Sequence, residues 1–465
     1  MIIVYIIIYI ELDQHFLGAT LNNQPVFDLV AVGLGPFNLS LACLASPLNQ
    51  LRCLFLDKKP EFNWHPGMLV EGATLQNPFL ADLVSMVDPT NRFSYLNYCK
   101  QQGNLYQFYI RENYYLNRQE YDRYCRWAAN ELDNVCFGHD VQSIEYDDKE
   151  ALYCVKGMDL QSQSPFCFFA KHIVLGVGSV PRFPKCFKAG KQGERVHTAH
   201  YLEEKERLQK SQNITIVGSG QSGAEVFYDL LKESDKYQYQ LNWVTRSPRF
   251  FQMETAKLTL ELITADYGKY FYSLNHDIKS KIITDQKSIY NGINQSLINQ
   301  IYHTLDDLRH TSAPKPQLLT NLALTNGYFD SGSSEYELTF KHRETQKHYR
   351  YSTDALVMAT GYQVVLPDFI ESIADRIQWD SQGRYRVNEN WSVDFGQNEI
   401  FVQNPGFDSH GIVNPDLGLA CYRNSRILHT ITGRDIYPVE ARTALQDFFP
   451  AENSGFYALD AKEAV

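Results

Sequence analysis

Two stretches of one design lie far apart in this chain and limit what it can fold into. Residues 27–40, FDLVAVGLGPFNLS, run from an apolar strand pattern (Leu29 to Val32) through Gly33-Leu34-Gly35-Pro36-Phe37-Asn38 into a helix pattern carried by Leu39, Leu41, Ala42 and Leu44. Residues 213–231 repeat it: Ile214-Thr215-Ile216-Val217, then Gly218-Ser219-Gly220-Gln221-Ser222-Gly223, then a helix from Ala224 to Leu231. In each loop the first glycine allows a tight turn. The second lets backbone N–H groups approach a pyrophosphate with no Cβ in the way, and the helix N-terminus offers unpaired donors to that anion. The later loop is a complete G-x-G-x-x-G; the earlier one carries Asn38 in place of the last glycine. Gly33 and Gly218 stand 185 residues apart (218 − 33), which implies two dinucleotide-binding domains rather than one unit read twice.

The strands that follow the loops differ at their ends. Leu51 to Asp57 (LRCLFLD) ends in an acid 24 residues beyond Gly33 (57 − 33), where a ribose-binding carboxylate belongs. Asp57 is that candidate, the alternative being a turn carboxylate. Leu241 to Thr245 is followed by Arg246, with Ser247 and Arg249 close behind. A base there suits a 2′-phosphate, hence NADP(H) over NAD(H); otherwise it is a solvated strand end. Two more buried-strand patterns stop at glycines: Ile173 to Pro181, with Gly176-Val177-Gly178, and Asp354 to Tyr362, with Ala359-Thr360-Gly361-Tyr362.

Between these landmarks, Phe62 to Gly67 reads as a loop, and Leu75 to Val84 as extended before Pro78 and helical after it. Residues 94–132 read as helical and aromatic, 135–169 as a small antiparallel insertion, and 253–310 as mostly helical. A helix from about Pro415 to Ile431 contains Gly418. The expected fold is α/β. It has an N-terminal extension (1–26), an FAD-binding domain (27–205, returning at 356–465), and an NADPH-binding domain (206–355) whose helical segment, about 253–310, binds substrate.

Net charge of −11 argues against a nucleic-acid partner. Nine scattered cysteines without a C-x-x-C argue for reduced thiols in a cytoplasmic enzyme, and against a metal ribbon or redox dithiol. The first ten residues, MIIVYIIIYI, are too few to span a bilayer and lack the flanks of a signal peptide. They read as an extension, or as a weak membrane-contacting tail, with no stable insertion.

Two complete strand–loop–helix units plus two glycine-ended strands suit a flavoprotein with FAD in one domain and a nicotinamide nucleotide in the other. Without a usable cysteine pair, disulfide reduction is disfavoured. Oxygenation needs no protein nucleophile, because the flavin carries the chemistry. A flavin reductase or oxidase that hydroxylates nothing stays open as an alternative.

The chain resembles the siderophore-biosynthetic N-hydroxylating flavin monooxygenases, the lysine N6-, ornithine N5- and diamine N-hydroxylases. The stretches that carry the likeness are VGLGPFNLSLA (32–42), WHPGML (64–69), FLADLVSMVDPTNRFSYLNY (79–98), VGSGQSGAE (217–225), ATGY (359–362) and SHGIVNPDLGLACYRNSRIL (409–428). Asn38 belongs to this family's form of the flavin loop. Gly193, His197 and Tyr201 partly match the G-x-x-x-H element of flavin monooxygenases. The resemblance implies that NADPH reduces FAD, oxygen adds at the flavin C4a, and a neutral primary amine attacks the resulting hydroperoxide. It also implies that Gln76 hydrogen-bonds near the flavin and protects that species. Trp64 and His65 line the flavin site, or else pack as core, and His410 contributes to cofactor binding. By analogy with the family a homo-oligomer, dimer or tetramer, is expected.

The likeness also bears on substrate. Where ornithine hydroxylases place a lysine against the amino-acid carboxylate, this chain has Ala81; two head-group asparagines align with Leu260 and Ile289, and a serine with Gly418. An α-carboxylate buried among such groups has no partner. A decarboxylated amine is expected: putrescine or cadaverine first, histamine next, with lysine or ornithine as the amino-acid alternative. Glu261 is the candidate acceptor for a second ammonium, or a surface acid.

Overall fold

The computed structural model describes residues 20–21, 24–187, 195–450 and 454–456. The apolar first ten residues and Gly193 lie outside them. The two glycine loops grow out of two separate sheets, each parallel around the strand that carries the loop. In the first, Gln24–Val32 is central, flanked by Cys53–Asp57 and Ser164–Leu175, with Val135–Phe137 and Ile400–Val402 beyond. Val32 pairs with Leu56 and Leu175, and Leu175 with Val402, so these strands end level beneath Gly33. Leu29, Val30 and Ala31 are fully buried. That is why the run reads as continuously apolar, since a parallel sheet is covered on both faces.

The second sheet is parallel, in the order Val196–His197, Ala355–Met358, Asn213–Val217, Gln240–Val244, Gln317–Leu319. A two-stranded ribbon, Val180–Pro181 with Tyr362–Gln363, joins the two halves. Sheet membership therefore assigns Val196–His197 and Ala355–Met358 to the second unit. The segment 253–310 is helical, as Lys257–Leu260, Ala265–Ser273, His276–Asp285, Lys287–Tyr290 and Gln295–Leu308.

Four local expectations need correction. Residues 79–84 form turns, not the expected helix. Asp82 takes the N–H groups of Val84, Ser85 and Tyr95 and the Ser85 hydroxyl, and such local bonding competes with a helical ladder. The 173–175 run is the end of the 12-residue strand Ser164–Leu175, whose first part forms the antiparallel insertion. The 415–431 helix begins later, as the short Leu417–Leu419 turn followed by Ala420–Thr432, because the Asp416 side chain accepts the Gly418 N–H at the entry. The thiols are not all free: Cys154 and Cys167 form a disulfide across neighbouring antiparallel strands. Cys154 pairs with Phe169 and Cys167 with Lys156, making the cysteines diagonal neighbours that no short motif announces. No helix among the described residues is long and apolar enough to cross a membrane.

Candidate active site

Both glycine loops are built for close approach. Gly33 has φ +87°, and a Cβ there would sit 2.5 Å from the Gly176 carbonyl oxygen. Gly218, at φ +123°, is pressed in the same way against Ala359. Gly35 and Gly220 are instead N-caps with extended backbone and no side-chain cap, and a Cβ on either would meet nothing within 4 Å. Open space beside an uncapped helix N-terminus is what a pyrophosphate requires. Pro36, at the first helical position, loses no useful donor.

The third loop position explains Asn38. In the second loop a Cβ on Gly223 would stand 2.6 Å from the Gly218 oxygen and 3.0 Å from the Ala359 Cβ. In the first loop the space lies on the strand side, because Gly176 has no Cβ and its missing atom would fall on the Asn38 amide. Asn38 Nδ2 then donates to the Gly33 carbonyl at 2.6 Å. Its Oδ1 accepts from Gln403 Nε2 at 3.0 Å, and Gln403 also donates to Asn424 Oδ1. Asn424 returns bonds to the Phe37 carbonyl and Ser40 Oγ. Arg423, fully buried, donates to the Gln403 and Asn414 carbonyls and lies over the Phe37 ring at 4.7 Å. Burial pulls its pKa down to about 9. This network ties the Ala420–Thr432 helix to the loop, and the sequence reading missed Gln403, Arg423 and Asn424.

Asp57 lies at the end of its strand, with Oδ2 accepting the Leu34 N–H at 2.7 Å and Oδ1 the Lys59 N–H at 2.8 Å. It braces the glycine loop. Arg246 is exposed just past Gln240–Val244, and Arg343, a cation the sequence reading did not single out, donates to its carbonyl. Gln221 and Ser222 open the second helix; Gln221 Nε2 donates to Glu225 and its Oε1 accepts the Asn294 N–H.

A chain of rings crosses between the halves. Trp64 lies 5.1 Å from Tyr121 and 5.2 Å from His65; His65 lies 5.7 Å from Tyr362, and Tyr362 lies 5.2 Å from His197. His65 holds φ +50°, a strained setting for a non-glycine residue that clusters at functional sites. The ring keeps an exposed face, but desolvation by the surrounding protein, then the Arg118 and Lys59 charges, bring its pKa down to about 4. The Ala359-Thr360-Gly361-Tyr362 turn is fixed by Arg182, which donates to the Thr360 carbonyl, and by His197 Nε2, which donates to the Gly361 carbonyl at 3.0 Å.

Gln76 sits in the Thr74–Pro78 strand with its Nε2 buried and unpartnered. A buried donor without an acceptor is costly, and the flavin expected here would supply one. With the two open glycine cradles, the residues present fit FAD and a nicotinamide dinucleotide. His410 offers them no free ring nitrogen. Its ring stacks on Trp391 at 4.4 Å, Nδ1 meets Ser409 Oγ and Nε2 the Glu389 carbonyl, so both nitrogens are engaged inside the fold. Burial lowers its pKa to about 3.

Ala81 and Gly418 are brought together: a Cβ on Gly418 would lie 3.6 Å from the Ala81 Cβ and 3.0 Å from Asp416 Oδ1. Asp416 is the acid the sequence reading passed over. Its carboxylate accepts from Asn77 Nδ2 at 3.1 and 2.9 Å and from the Gly418 N–H at 2.8 Å. Burial pushes its pKa up. The available signal was an acid set in the otherwise apolar run 415–421. Leu260 ends the Lys257–Leu260 helix and Ile289 is buried in Lys287–Tyr290. Glu261 is already engaged: Leu445 N–H, Gln446 N–H and Gln446 Nε2 donate to its oxygens.

The family described as L-lysine 6-monooxygenase/L-ornithine 5-monooxygenase matches residues 25–364. The chain is 51% identical over 428 residues to an alcaligin biosynthesis enzyme of Bordetella pertussis, covering 92% of this chain and 93% of that one. It is 47% identical to a putrescine N-hydroxylase of Shewanella oneidensis, covering 92% and 85%. The FAD-bound cadaverine monooxygenase of the desferrioxamine pathway from Erwinia amylovora superposes with a TM-score of 0.88 at 45% identity, covering 92% of this chain and 99% of that one.

Proposed function

The chain belongs to the L-lysine 6-monooxygenase/L-ornithine 5-monooxygenase family, and from that premise we propose that it hydroxylates one nitrogen of an aliphatic diamine, putrescine or cadaverine. It is a flavin-dependent N-hydroxylating monooxygenase with FAD and NADPH as cofactors. The observation that carries the diamine is Asp416. Its carboxylate is held by Asn77 and the Gly418 N–H, beside Ala81, and makes no direct ion pair among the described residues, the buried Arg423 charge acting on it only at longer range. A desolvated carboxylate favours a cation beside it. An amino acid would instead bring its own carboxylate to the same place. At about 5 Å and an effective dielectric near 20, that repulsion costs about 3 kcal/mol. The related putrescine and cadaverine enzymes support the same reading, and the alcaligin and desferrioxamine relatives support a hydroxamate siderophore as the eventual product.

Reduced by NADPH, FAD supplies the activated oxygen that the amine takes up. The chain supplies the setting. Asp416 holds the far ammonium charged, while the near ammonium gives its proton to solvent water and reacts as the neutral amine. Ala81 and Gly418 leave room for methylenes. Gln76 Nε2 offers a hydrogen bond toward the flavin, and the Trp64–His65–Tyr362 rings line one side of the site.

The test is NADPH oxidation measured together with hydroxylamine formation for putrescine, cadaverine, histamine, ornithine and lysine. Tight coupling with a diamine is expected. Preferential hydroxylation of ornithine or lysine would overturn the Asp416 argument. NADPH consumption without hydroxylamine from any amine would make the protein an oxidase.

A further inference from the structure

We infer that residues 442–449 form a strap clasped onto the helices beside the amine site, with Glu261 and Asp266 as positioning residues for amine binding. The inference rests on the amine site proposed above.

The strap has no regular secondary structure, so its backbone groups need partners outside a ladder. Two carboxylates take four successive N–H groups. Asp266 Oδ2 accepts from Thr443 at 2.6 Å and Ala444 at 3.2 Å. Glu261 accepts from Leu445 at 3.0 Å and Gln446 at 2.9 Å. The bonding is reciprocal: the Asp266 N–H donates to Thr443 Oγ1, and Gln446 Nε2 reaches Glu261 Oε2 and the Leu258 carbonyl. Arg442 closes the strap on itself, donating to the Ala444 and Leu445 carbonyls and pairing with Asp447 at 3.1 Å. Charge-assisted bonds of this kind are stronger than neutral ones. Aromatic contacts finish the clasp. Phe448 meets Tyr267 at 5.0 Å and Tyr270 at 5.7 Å, and Phe449 meets Tyr270 at 4.9 Å.

The helices under the strap touch the amine site from the other side. A Cβ on Gly268 would meet Val413, and Phe271 packs on Gly411, so Ala265–Ser273 rests on the loop that leads into Asp416. Leu260, the expected substrate contact, immediately precedes Glu261. Tyr267, gripped by Phe448, accepts a hydrogen bond from Gln286, three residues before Ile289. Releasing the strap therefore frees both the 257–273 helices and the loop that aims Asp416.

The experiment uses the full-length, FAD-loaded enzyme and the variants Glu261→Ala, Asp266→Ala, their combination, and Glu261→Gln, which keeps one acceptor oxygen. Leu445→Ala, an exposed side chain, is the control. Hydrogen exchange is read in peptides covering 442–449 and 257–273, alongside amine KM, kcat and flavin reduction by NADPH without amine. The combined variant is expected to exchange faster in both peptides and to raise amine KM about tenfold, with flavin reduction changed by less than about twofold. Glu261→Gln should fall between wild type and Glu261→Ala. Unchanged exchange would overturn the clasp. Faster exchange with unchanged KM would overturn its bearing on the amine. The exchange reading needs no amine, so it stands apart from failure of the diamine proposal, and KM is measured with whichever amine the panel selects.

Discussion

A carboxylate held by Asn77 and Gly418, with the buried Arg423 charge acting on it but no direct ion pair, has two ways to settle: it takes a proton, or it takes a cation. If Asp416 holds the diamine's far ammonium, Asp416→Asn should raise diamine KM about 30-fold or more while leaving flavin reduction by NADPH intact. Because burial raises the Asp416 pKa, diamine affinity in the wild type should fall on acidification at a pH above the ordinary carboxylate range, and the Asn variant should lose that limb. Unchanged KM in the variant would remove Asp416 from the site. Two buried histidines set a separate acid limit. His410 is held neutral down to about pH 3 and His197 to about 4, whereas both take a proton near 6.5 when unfolded. Both folded pKa values are depressed, so their stability is complete above about 6.5 and is lost as pH falls toward those values. Each contributes a slope of about 1.4 kcal/mol per pH unit in that window. Urea unfolding at pH 7 and pH 5 should show the difference, and His410→Gln should flatten it. The family resemblance is what pointed to Ala81, Gly418 and Gln76. It missed Asp416 because the meaning of that acid comes from Asn77, 339 positions earlier in the chain, and no local pattern joins them.

At the scale of elements, the two nucleotide loops are one solution with the bulk placed on opposite sides. Asn38 faces Gly176, while Gly223 faces Ala359. Gly223→Asn alone should overpack against Ala359 and cost about 1–3 kcal/mol, with weaker NADP+ binding. Adding Ala359→Gly should recover part of the loss. Calorimetric Tm and NADP+ titration read both, and failure of the second substitution to recover anything would refute the complementarity. These loops and their strands were legible beforehand, because a buried parallel strand must be an apolar run and a tight turn must hold glycine. Residues 79–84 were less legible. The Asp82 side chain captured the N–H groups that a helix would have used, and propensity does not show that competition. The antiparallel sheet Leu322–Asp330, Glu335–His342, His348–Thr353 was likewise unforeseen, although Glu335–His342 alternates polar and apolar residues and buries Tyr336, Leu338 and Phe340 on one face.

Across the whole molecule, the order of the two nucleotide units could be read from the spacing of Gly33 and Gly218, but their facing could not, since it depends on contacts between distant segments. The ribbon at Val180–Pro181 and Tyr362–Gln363 is one. Another is the ion pair between Arg118, which opens the Arg118–Asn130 helix, and Glu225 on the helix behind the second loop, at 2.7 Å with both side chains largely buried. Glu225 also holds Gln221 of that loop, so the pair connects the aromatic wall of the first unit to the nucleotide cradle of the second. Arg118→Met would leave Glu225 charged and buried, at a cost of about 3–5 kcal/mol, whereas Arg118→Met with Glu225→Leu should recover most of it. Stability and hydride transfer should then part company. If the pair orients the two units, the double variant regains Tm but still reduces its flavin slowly with NADPH, because nothing replaces the bond that set the facing. A reduction rate that returns together with Tm would limit the pair to a stabilising role and leave the orientation to the ribbon.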